Sequence, residues 1–309
     1  MPPAAPMTKS MTPAVWGLMA VLALLWGTSF LSIRFALAGI GPLSIVAVRV
    51  TGAAAVIWLV VLLARRPVPR DPMLIPHFLI SGGLNCALPF SLISWGQQYI
   101  PSGLTGILNA GAAVFGVAVA ALILRDERLT PRKAIGVTVG FLGVIAAIGP
   151  TALAGLDLTS LGQFAIIASS VCYAFGSVYT RINVGKLVPD VAAAGMLTGA
   201  AAWQIPIALL TEGVPQSAAL GQVGPALLWL TLGCTASAYL LYFRILARAG
   251  AGNTSLVTLI IPPIAILAGA LTLGERLTVA ELLGFVVIAA GLVILNGGPK
   301  PRDALPATR

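Results

Sequence analysis

Glu127-Arg128-Leu129-Thr130 recurs in this chain as Glu275-Arg276-Leu277-Thr278, 148 residues further on, and each copy lies between two apolar runs. The same separation relates Cys86 to Cys234 and Gly143 to Gly291. A separation of 147 residues aligns 51–55 with 198–202, both of which read Thr-Gly-Ala-Ala-Ala, so one insertion or deletion reconciles the two registers. Collinear matches over roughly 120 residues predict an internal duplication, since chance gives only isolated matches.

The composition indicates a membrane protein. With 58% hydrophobic and 9% charged residues, a chain of 309 residues has too little polar surface for a soluble globule. Apolar runs of about 20 residues, the length of a membrane-spanning helix, recur between short polar breaks. We expect an all-α integral membrane protein with ten spans, at approximately 14–34, 42–64, 75–97, 102–124, 132–149, 160–181, 189–211, 223–244, 252–273 and 279–296.

The basic residues predict the topology. If the N-terminus is cytoplasmic, fifteen of the eighteen Lys and Arg residues fall in cytoplasmic segments, and the exceptions are Arg34, Arg49 and Arg276. Both termini are then cytoplasmic. Because each repeat has an odd number of spans, five, the second repeat enters the membrane from the opposite side. We therefore predict an inverted repeat.

Four segments follow from this topology. We expect a cytoplasmic tail at 1–13, five-helix repeats at 14–149 and 150–297, and a second cytoplasmic tail at 298–309. The first apolar run is longer than a typical signal-peptide core and is interpreted as span 1. All three cysteines fall inside spans and are expected to be reduced packing residues.

Proline and glycine within the spans bear on helix movement. Pro89, Pro206 and the pair Pro262-Pro263 each remove a backbone hydrogen bond, and Pro89, Pro262 and Pro263 are our candidate hinges, with a fixed kink as the alternative. The glycines of spans 4 and 5 are expected mainly to permit close helix packing. Glu127 and Glu275 are expected to pair with nearby bases at helix ends.

Charge inside the predicted membrane core is scarce. No acidic residue falls at a predicted midplane, so the chain lacks the intramembrane carboxylate that proton-driven carriers use. His77, near the start of span 3, is either an interfacial anchor or a proton relay. Arg49 lies about seven residues into span 2; an anion site is one interpretation, but we expect the side chain to extend to the outer interface.

Uncharged polar and aromatic residues remain for substrate recognition. The mid-span amide of Asn109 must find a partner in hydrocarbon, either in helix packing or in a substrate. Trp26, Tyr173 and Tyr239 lie several residues inside their spans, so they line a cavity or, alternatively, belong to interfacial aromatic belts. Our candidate substrate-binding residues are Trp26, Ser29, Asn85, Phe90, Trp95, Asn109, Tyr173, Ser177 and Tyr239.

Several of these features together resemble a known family. They are Trp26-Gly27-Thr28-Ser29-Phe30, Leu88-Pro89-Phe90 followed by Tyr99-Ile100-Pro101-Ser102-Gly103, and the two Glu-Arg-Leu-Thr motifs, each followed by a glycine-rich helix. Over 14–297 the chain resembles the EamA-type exporters of the drug/metabolite transporter superfamily, which include YddG-like amino-acid exporters. The resemblance implies ten helices in two inverted halves and a central cavity enclosed by both.

The expected function is export of amino acids or similar small metabolites across the inner membrane by alternating access. Facilitated rather than proton-coupled movement is expected, because no intramembrane carboxylate is present. The alternative substrates are cationic or amphipathic drugs and quaternary amines, which aromatic rings would attract. A channel or a scaffold fits an inverted repeat with internal prolines less well. No enzyme activity, metal, cofactor, phosphate-binding loop or nucleic-acid partner is expected, and the default state is a monomer.

Overall fold

The computed structural model describes residues 12–124, 130–148, 157–249 and 257–296, and these parts of the chain are helical with no strand. We label the helices α1 to α10. Their bounds are α1 Pro13–Ala36, α2 Pro42–Leu63, α3 Leu74–Gly96, α4 Ser102–Ile123, α5 Pro131–Ile148, α6 Leu158–Asn183, α7 Pro189–Thr211, α8 from Ser217–Leu228 through Trp229–Ser237 to Ala238–Ala249, α9 Val257–Leu273 and α10 Val279–Asn296.

Eight of these helices, α1 to α8, are long and apolar enough to cross a membrane. The last two contain shorter apolar segments, Ile260–Leu273 and Val279–Leu295. The all-helical prediction is confirmed. The predicted start of the eighth span, 223, is wrong, because α8 begins at Ser217 and continues through Pro225.

The sequence explains where several helices begin. Proline is favoured in the first turn of a helix because the N–H groups there have no acceptor within the helix, so the N–H that proline lacks is not missed. Helices α1, α2, α5 and α7 all begin with proline. Side-chain caps supply two further starts. The hydroxyl of Thr12 accepts a hydrogen bond from the Val15 amide at 3.3 Å, and the Asp157 carboxylate accepts one from the Ser160 amide at 2.7 Å.

Two helices contain π-helical turns at corresponding places. In α3 the π-helical segment is Gly83–Ala87, and in α8 it is Trp229–Ser237. Cys86 and Cys234, which the repeat relates, lie within them. Pro89 lies two residues beyond the end of the first of these segments, and α3 continues through this proline. Prolines and π-helical turns are both places where helices bend.

Helices α5 and α10 pack backbone against backbone at glycine. A Cβ atom on Gly136 would lie 3.0 Å from the carbonyl oxygen of Gly291, and one on Gly143 would lie 3.0 Å from the carbonyl oxygen of Gly284. The repeat relates Gly136 to Gly284 and Gly143 to Gly291. Each contact is therefore the counterpart of the other, as in the contact between two copies related by a two-fold axis. The expected close packing is confirmed for these glycines.

Two carboxylates cap helices that lie far away in sequence. Glu275 accepts hydrogen bonds from the Ser102 amide at 3.0 Å and the Ser102 hydroxyl at 2.7 Å, at the start of α4. Glu212 accepts from the amides of Leu43 and Ser44 at 2.9 and 2.8 Å, at the start of α2. A negative charge at a helix N-terminus satisfies free N–H groups and opposes the positive end of the helix dipole.

This capping corrects one expectation. Glu275 pairs with N–H and hydroxyl groups, and no base among the described residues pairs with it, so the predicted salt bridge is wrong. Its counterpart Glu127 lies outside the described residues, as do most of both predicted tails and the boundary at 149/150.

Candidate functional site

Arg49 lies inside the helix bundle. Its side chain is 5% exposed, its Nε donates a hydrogen bond to the Thr235 hydroxyl at 2.7 Å, and its guanidinium carbon lies 3.8 Å from the centre of the Phe90 ring. The expectation that this side chain extends to the membrane interface is therefore wrong. Helices α2, α3 and α8 together hold the charged group away from lipid and water.

Thr235, which accepts the hydrogen bond from Arg49, is held in place by the π-helical segment of α8. The Thr235 hydroxyl donates to the carbonyl of Leu230, five residues earlier, at 2.7 Å. A five-residue reach is the spacing of a π-helix. The Thr235 hydroxyl therefore donates its proton to the backbone and accepts the hydrogen bond from Arg49 with a lone pair. These two hydrogen bonds together fix the position of the guanidinium.

Aromatic and thiol groups surround the guanidinium. The Phe90 and Tyr173 rings meet edge to face with centres 6.5 Å apart, and the Cys86 thiol lies 3.4 Å from the Tyr239 hydroxyl. The charge of Arg49 acts on Cys86, Tyr173, Cys234 and Tyr239. We call Arg49, Cys86, Phe90, Tyr173, Thr235 and Tyr239 the central cluster. It joins two helices of the first repeat to two of the second.

Within the described part of the chain, no negative charge balances Arg49. Among the acidic residues that the structure describes, every one lies in a loop or in the first or last turn of a helix; they are Asp71, Asp157, Asp190, Glu212, Glu275 and Glu281. Aromatic attraction and one neutral hydrogen bond stabilise the guanidinium without neutralising it. An ionisable group held this way inside a membrane helix bundle is a functional-site candidate in its own right.

Three of the nine candidate substrate-binding residues belong to the central cluster, namely Phe90, Tyr173 and Tyr239. Trp26 packs against Tyr242 with ring centres 5.7 Å apart, and Tyr242 lies one turn from Tyr239 on α8. Ser29 and Ser177 donate to backbone carbonyls of their own helices, those of Trp26 and Ala174, at 2.6 and 2.9 Å.

Asn85 is engaged in helix packing between α3 and α6. Its amide nitrogen donates to the Ser81 carbonyl and to the Thr180 hydroxyl, both at 3.0 Å. About two turns before Asn85 on α3, the Nδ1 atom of His77 and the Tyr179 hydroxyl lie 2.8 Å apart. The side-chain amide of Asn85 therefore already donates within the protein. His77 has a partner on the neighbouring helix α6, which fits its interpretation as an anchor.

Asn109 differs from Asn85. Its side-chain oxygen is buried and has no hydrogen-bond partner among the residues that the structure describes. A buried acceptor without a donor costs about 1–3 kcal/mol, so this atom is available for a donor on a ligand. Asn109 lies on α4, whose following turn includes the partly exposed Ala112 and Ala113.

Trp95 lies apart from the central cluster. It packs on Tyr99 with ring centres 5.1 Å apart and lines an open groove of about 330 Å³ beside Pro42 and Glu212. It is nine residues beyond Cys86 on α3, a rise of about 13 Å. A second open groove, of about 550 Å³, lies between α1 and α8, where Trp229 donates to the Thr28 hydroxyl at 3.0 Å.

The candidate hinge prolines face different surroundings. Pro89 is buried in α3, next to Phe90. In α9, Pro262 is buried with its Cα 3.6 Å from where a Cβ on Gly106 would lie, whereas Pro263 is exposed. Their role as hinges stays a prediction.

Sequence reasoning left three members of the central cluster out of the candidate site. Cys86 was interpreted as packing only, Arg49 as an interfacial residue, and Thr235 as one hydroxyl among several in its span. The available signals were the lone charge of Arg49 inside an apolar run and the repeat relation of Cys86 to Cys234.

The profile of the EamA-like transporter family matches the chain twice, at residues 14–149 and 160–297. The chain belongs to this family. Membership in the EamA-like transporters, part of the drug/metabolite transporter superfamily, makes it a multi-pass membrane transporter and not an enzyme. The resemblance noted from the sequence is confirmed, and the two matched segments agree with the predicted duplication.

Similar proteins cover nearly the same length as this EamA-like chain. A "Probable amino-acid metabolite efflux pump" of Salmonella typhimurium is 28% identical, over 90% of this chain and 93% of its own length. A "Probable terminal-alkyne amino-acid exporter" of Streptantibioticus cattleyicolor is 26% identical, over 93% of this chain and 94% of its own. A solved crystal structure with 20% identity superposes with a TM-score of 0.67 over 92% of this chain and 96% of that one, which shows a shared fold.

Proposed function

We propose that this EamA-like transporter exports amino acids or similar small metabolites across the inner membrane by alternating access, without proton coupling. The observation that carries the proposal is the central cluster, in which one positive charge lies among hydroxyl and aromatic groups contributed by both matched segments. A small solute with a carboxylate for the positive charge, and with polar or apolar groups for the hydroxyls and rings, complements such a site. The printed names of two relatives, an amino-acid metabolite efflux pump and an amino-acid exporter, support the same substrate class.

An inverted repeat of two five-helix halves supplies the mechanism. The reciprocal glycine contacts of α5 and α10 support it, since two equivalent helices meet there with counterpart residues exchanged. The double family match supports halves at 14–149 and 150–297. Two inverted halves around one site produce two openings of similar geometry on opposite sides, which alternate as the halves rock.

The charge distribution supports the orientation. We propose that both termini are cytoplasmic, because fifteen of the eighteen basic residues then lie on the cytoplasmic side. Glu212 and Glu275 are then on the outer side, where they tie α7 to α2 and the α9–α10 loop to α4. Both halves are in one chain, so a monomer is sufficient.

Facilitated movement follows from the placement of the acidic residues. Each acidic residue that the structure describes lies at a helix end or in a loop, so none of them is positioned to exchange a proton within the bundle. Export of cationic drugs is disfavoured for the same reason, because a cation would meet the positive charge of Arg49 without a compensating carboxylate.

Counterflow in proteoliposomes tests the proposal. Vesicles are preloaded with individual unlabelled amino acids, and uptake of one labelled amino acid is measured at matched pH and with an imposed pH gradient. Saturable uptake that the gradient does not alter is the expected result. Movement of a quaternary amine with no movement of any amino acid would contradict the proposal, and gradient-dependent uptake would contradict its facilitative part.

A further inference from the structure

We propose that Arg49 is the residue that binds the carboxylate of the transported solute. This inference rests on the proposed function and gives it a specific contact. It concerns the group on the solute that the site recognises, a single free carboxylate, and it assigns Arg49 and its two supports, Thr235 and Phe90, to that recognition.

Arg49 has N–H donors that no described residue uses. A guanidinium has five N–H groups in a fixed plane, and it cannot lose its proton in a protein. Only Nε donates to a described residue, the Thr235 hydroxyl. The four N–H groups on the two Nη atoms donate to no described residue, although the side chain is 5% exposed. Charged donors on a buried residue that lack acceptors in the protein favour binding of an acceptor that brings the opposite charge.

The guanidinium of Arg49 is already held in place by its neighbours. Thr235 is fixed by its bond to the Leu230 carbonyl, and it fixes Nε in turn. The ring of Phe90 lies 3.8 Å from the guanidinium carbon and supports one face. A guanidinium restrained in this way loses little rotational freedom when a ligand binds, so more of the interaction energy appears as affinity.

A single guanidinium selects the type of anion that the site can bind. A carboxylate carries one negative charge and accepts two parallel hydrogen bonds, which matches one guanidinium. A phosphate group carries a greater charge and would need several basic residues. Among the described residues, the contacts of the central cluster involve a single base, Arg49. The site therefore fits a monocarboxylate.

The surroundings also provide for the ammonium group of an amino acid. The rings and hydroxyls of Tyr173 and Tyr239 are within the same cluster and attract or accept from a cation without carrying charge. With its carboxylate on Arg49 and its ammonium toward the tyrosines, each charge of a zwitterionic amino acid would have a complementary group in the central cluster.

The test is equilibrium binding to the purified full-length protein in lipid nanodiscs. The probes are the tightest-bound of the twenty common L-amino acids, its carboxamide, and its deaminated acid, which keeps the carboxylate. The variants are Arg49→Gln and Arg49→Lys. The control is Arg70→Gln, which removes one positive charge from an exposed position in the loop between α2 and α3.

We expect the wild type to bind the amino acid at least about tenfold more tightly than the carboxamide, since a hydrogen-bonded charge is recognised and the neutral group is not. Arg49→Gln should weaken amino-acid binding by about 10- to 100-fold and leave carboxamide binding unchanged. Arg49→Lys should give an intermediate loss, because a lysine keeps the charge without the planar fork. If Arg49→Gln does not fold, Arg49→Lys alone carries the test. Arg70→Gln should leave the affinity for both the amino acid and the carboxamide unchanged.

The other outcomes separate this inference from the proposed function. Equal wild-type affinity for amino acid and carboxamide, or equal weakening of both by the Arg49 variants, would overturn the carboxylate contact and leave amino-acid export standing. Arg49-dependent binding of the deaminated acid without binding of any amino acid would support the contact and overturn amino-acid export. A wild type that binds no small carboxylate would overturn both.

Discussion

The α5–α10 contact and the pair α3 and α8 each consist of helices that the repeat relates, yet they are built in opposite ways. In the first, regular helices meet at glycines with their backbones touching. In the second, each helix contains a π-helical segment and contributes polar or aromatic groups to the central cluster. Backbone contact leaves no second packing arrangement nearby, whereas irregular helix turns with side-chain contacts have alternatives. The difference supports our proposal that the α5–α10 contact holds the two halves together and that the central cluster binds the solute.

The largest expected effect is in the α5–α10 contact. A Cβ on Gly284 would overlap the backbone of Ala147, so Gly284→Leu should destabilise the protein by more than about 2 kcal/mol. The measurement is thermal unfolding in detergent together with the yield of monodisperse protein. Gly17→Leu is the matched control, because Gly17 is exposed and a Cβ there meets no atom within 4 Å. Similar unfolding temperatures for the two variants would contradict the distinction between the two regions.

The second prediction concerns the central cluster. Thr235→Val keeps the shape of the side chain but removes the acceptor for Arg49, and we expect amino-acid uptake at low concentration to fall about tenfold, as loss of a hydrogen bond to a charged group does. The measurement is initial uptake into proteoliposomes at equal protein content. Thr272→Val is the control, since the hydroxyl of Thr272 is exposed and donates only to a carbonyl of its own helix. Equal uptake by both variants would remove Thr235 from the site.

A smaller effect is expected where Glu275 caps α4. Glu275→Gln removes the negative charge from the start of that helix, and we expect a loss of about 1 kcal/mol in stability. Glu281→Gln is the comparison, because Glu281 bonds only within the first turn of its own helix, where glutamine serves equally well. Thermal unfolding of the two variants measures the difference. A stability loss for Glu281→Gln as large as that for Glu275→Gln would show that the link between α4 and the α9–α10 loop adds nothing.

The smallest effect concerns Asp157 at the start of α6. The hydrogen bond from the Ser160 amide holds the pKa of this carboxyl below its usual range. A lowered pKa stabilises the fold above the ordinary pKa of aspartate, and this stabilisation is lost as the pH falls through the lowered value. Asp157→Asn keeps an N-capping oxygen but does not titrate. We expect the stability of the wild type relative to Asp157→Asn to decrease between pH 7 and pH 3 in thermal unfolding, and a constant difference would contradict this.

The sequence predicted the helices well because apolar runs of membrane length have few alternative structures. The sequence also predicted the close contacts of Gly136 and Gly143, because glycines at helical spacing let two helix backbones approach each other. The π-helical turns were not predicted, because their sequence pattern does not differ from that of an α-helix. The extended α8 was missed because polar Gln216 and Gln222 and the internal Pro225 weaken the hydrophobic pattern at its start.

The position of Arg49 shows where sequence reasoning about a site reaches its limit. A charge seven residues into a span is compatible with both the interface and the interior, and only the partners decide between them. Those partners, Phe90 and Thr235, lie 41 and 186 residues away in sequence. Asn85 and Asn109 show the same limit: both are mid-span amides, but the structure gives hydrogen-bond partners to the first and none to the side-chain oxygen of the second.

The central claim is that two inverted halves enclose one site, and the repeated motif allows a direct test. Arg128 and Arg276 occupy the same place in the two copies. In a cysteine-free variant, Arg128→Cys and Arg276→Cys are labelled singly with a membrane-impermeant thiol reagent, in intact cells and after permeabilisation. We expect the thiol at 276 to react in intact cells and the thiol at 128 to react only after permeabilisation. Reaction of both thiols from the same side of the membrane would contradict the inversion and the alternating-access mechanism that depends on it.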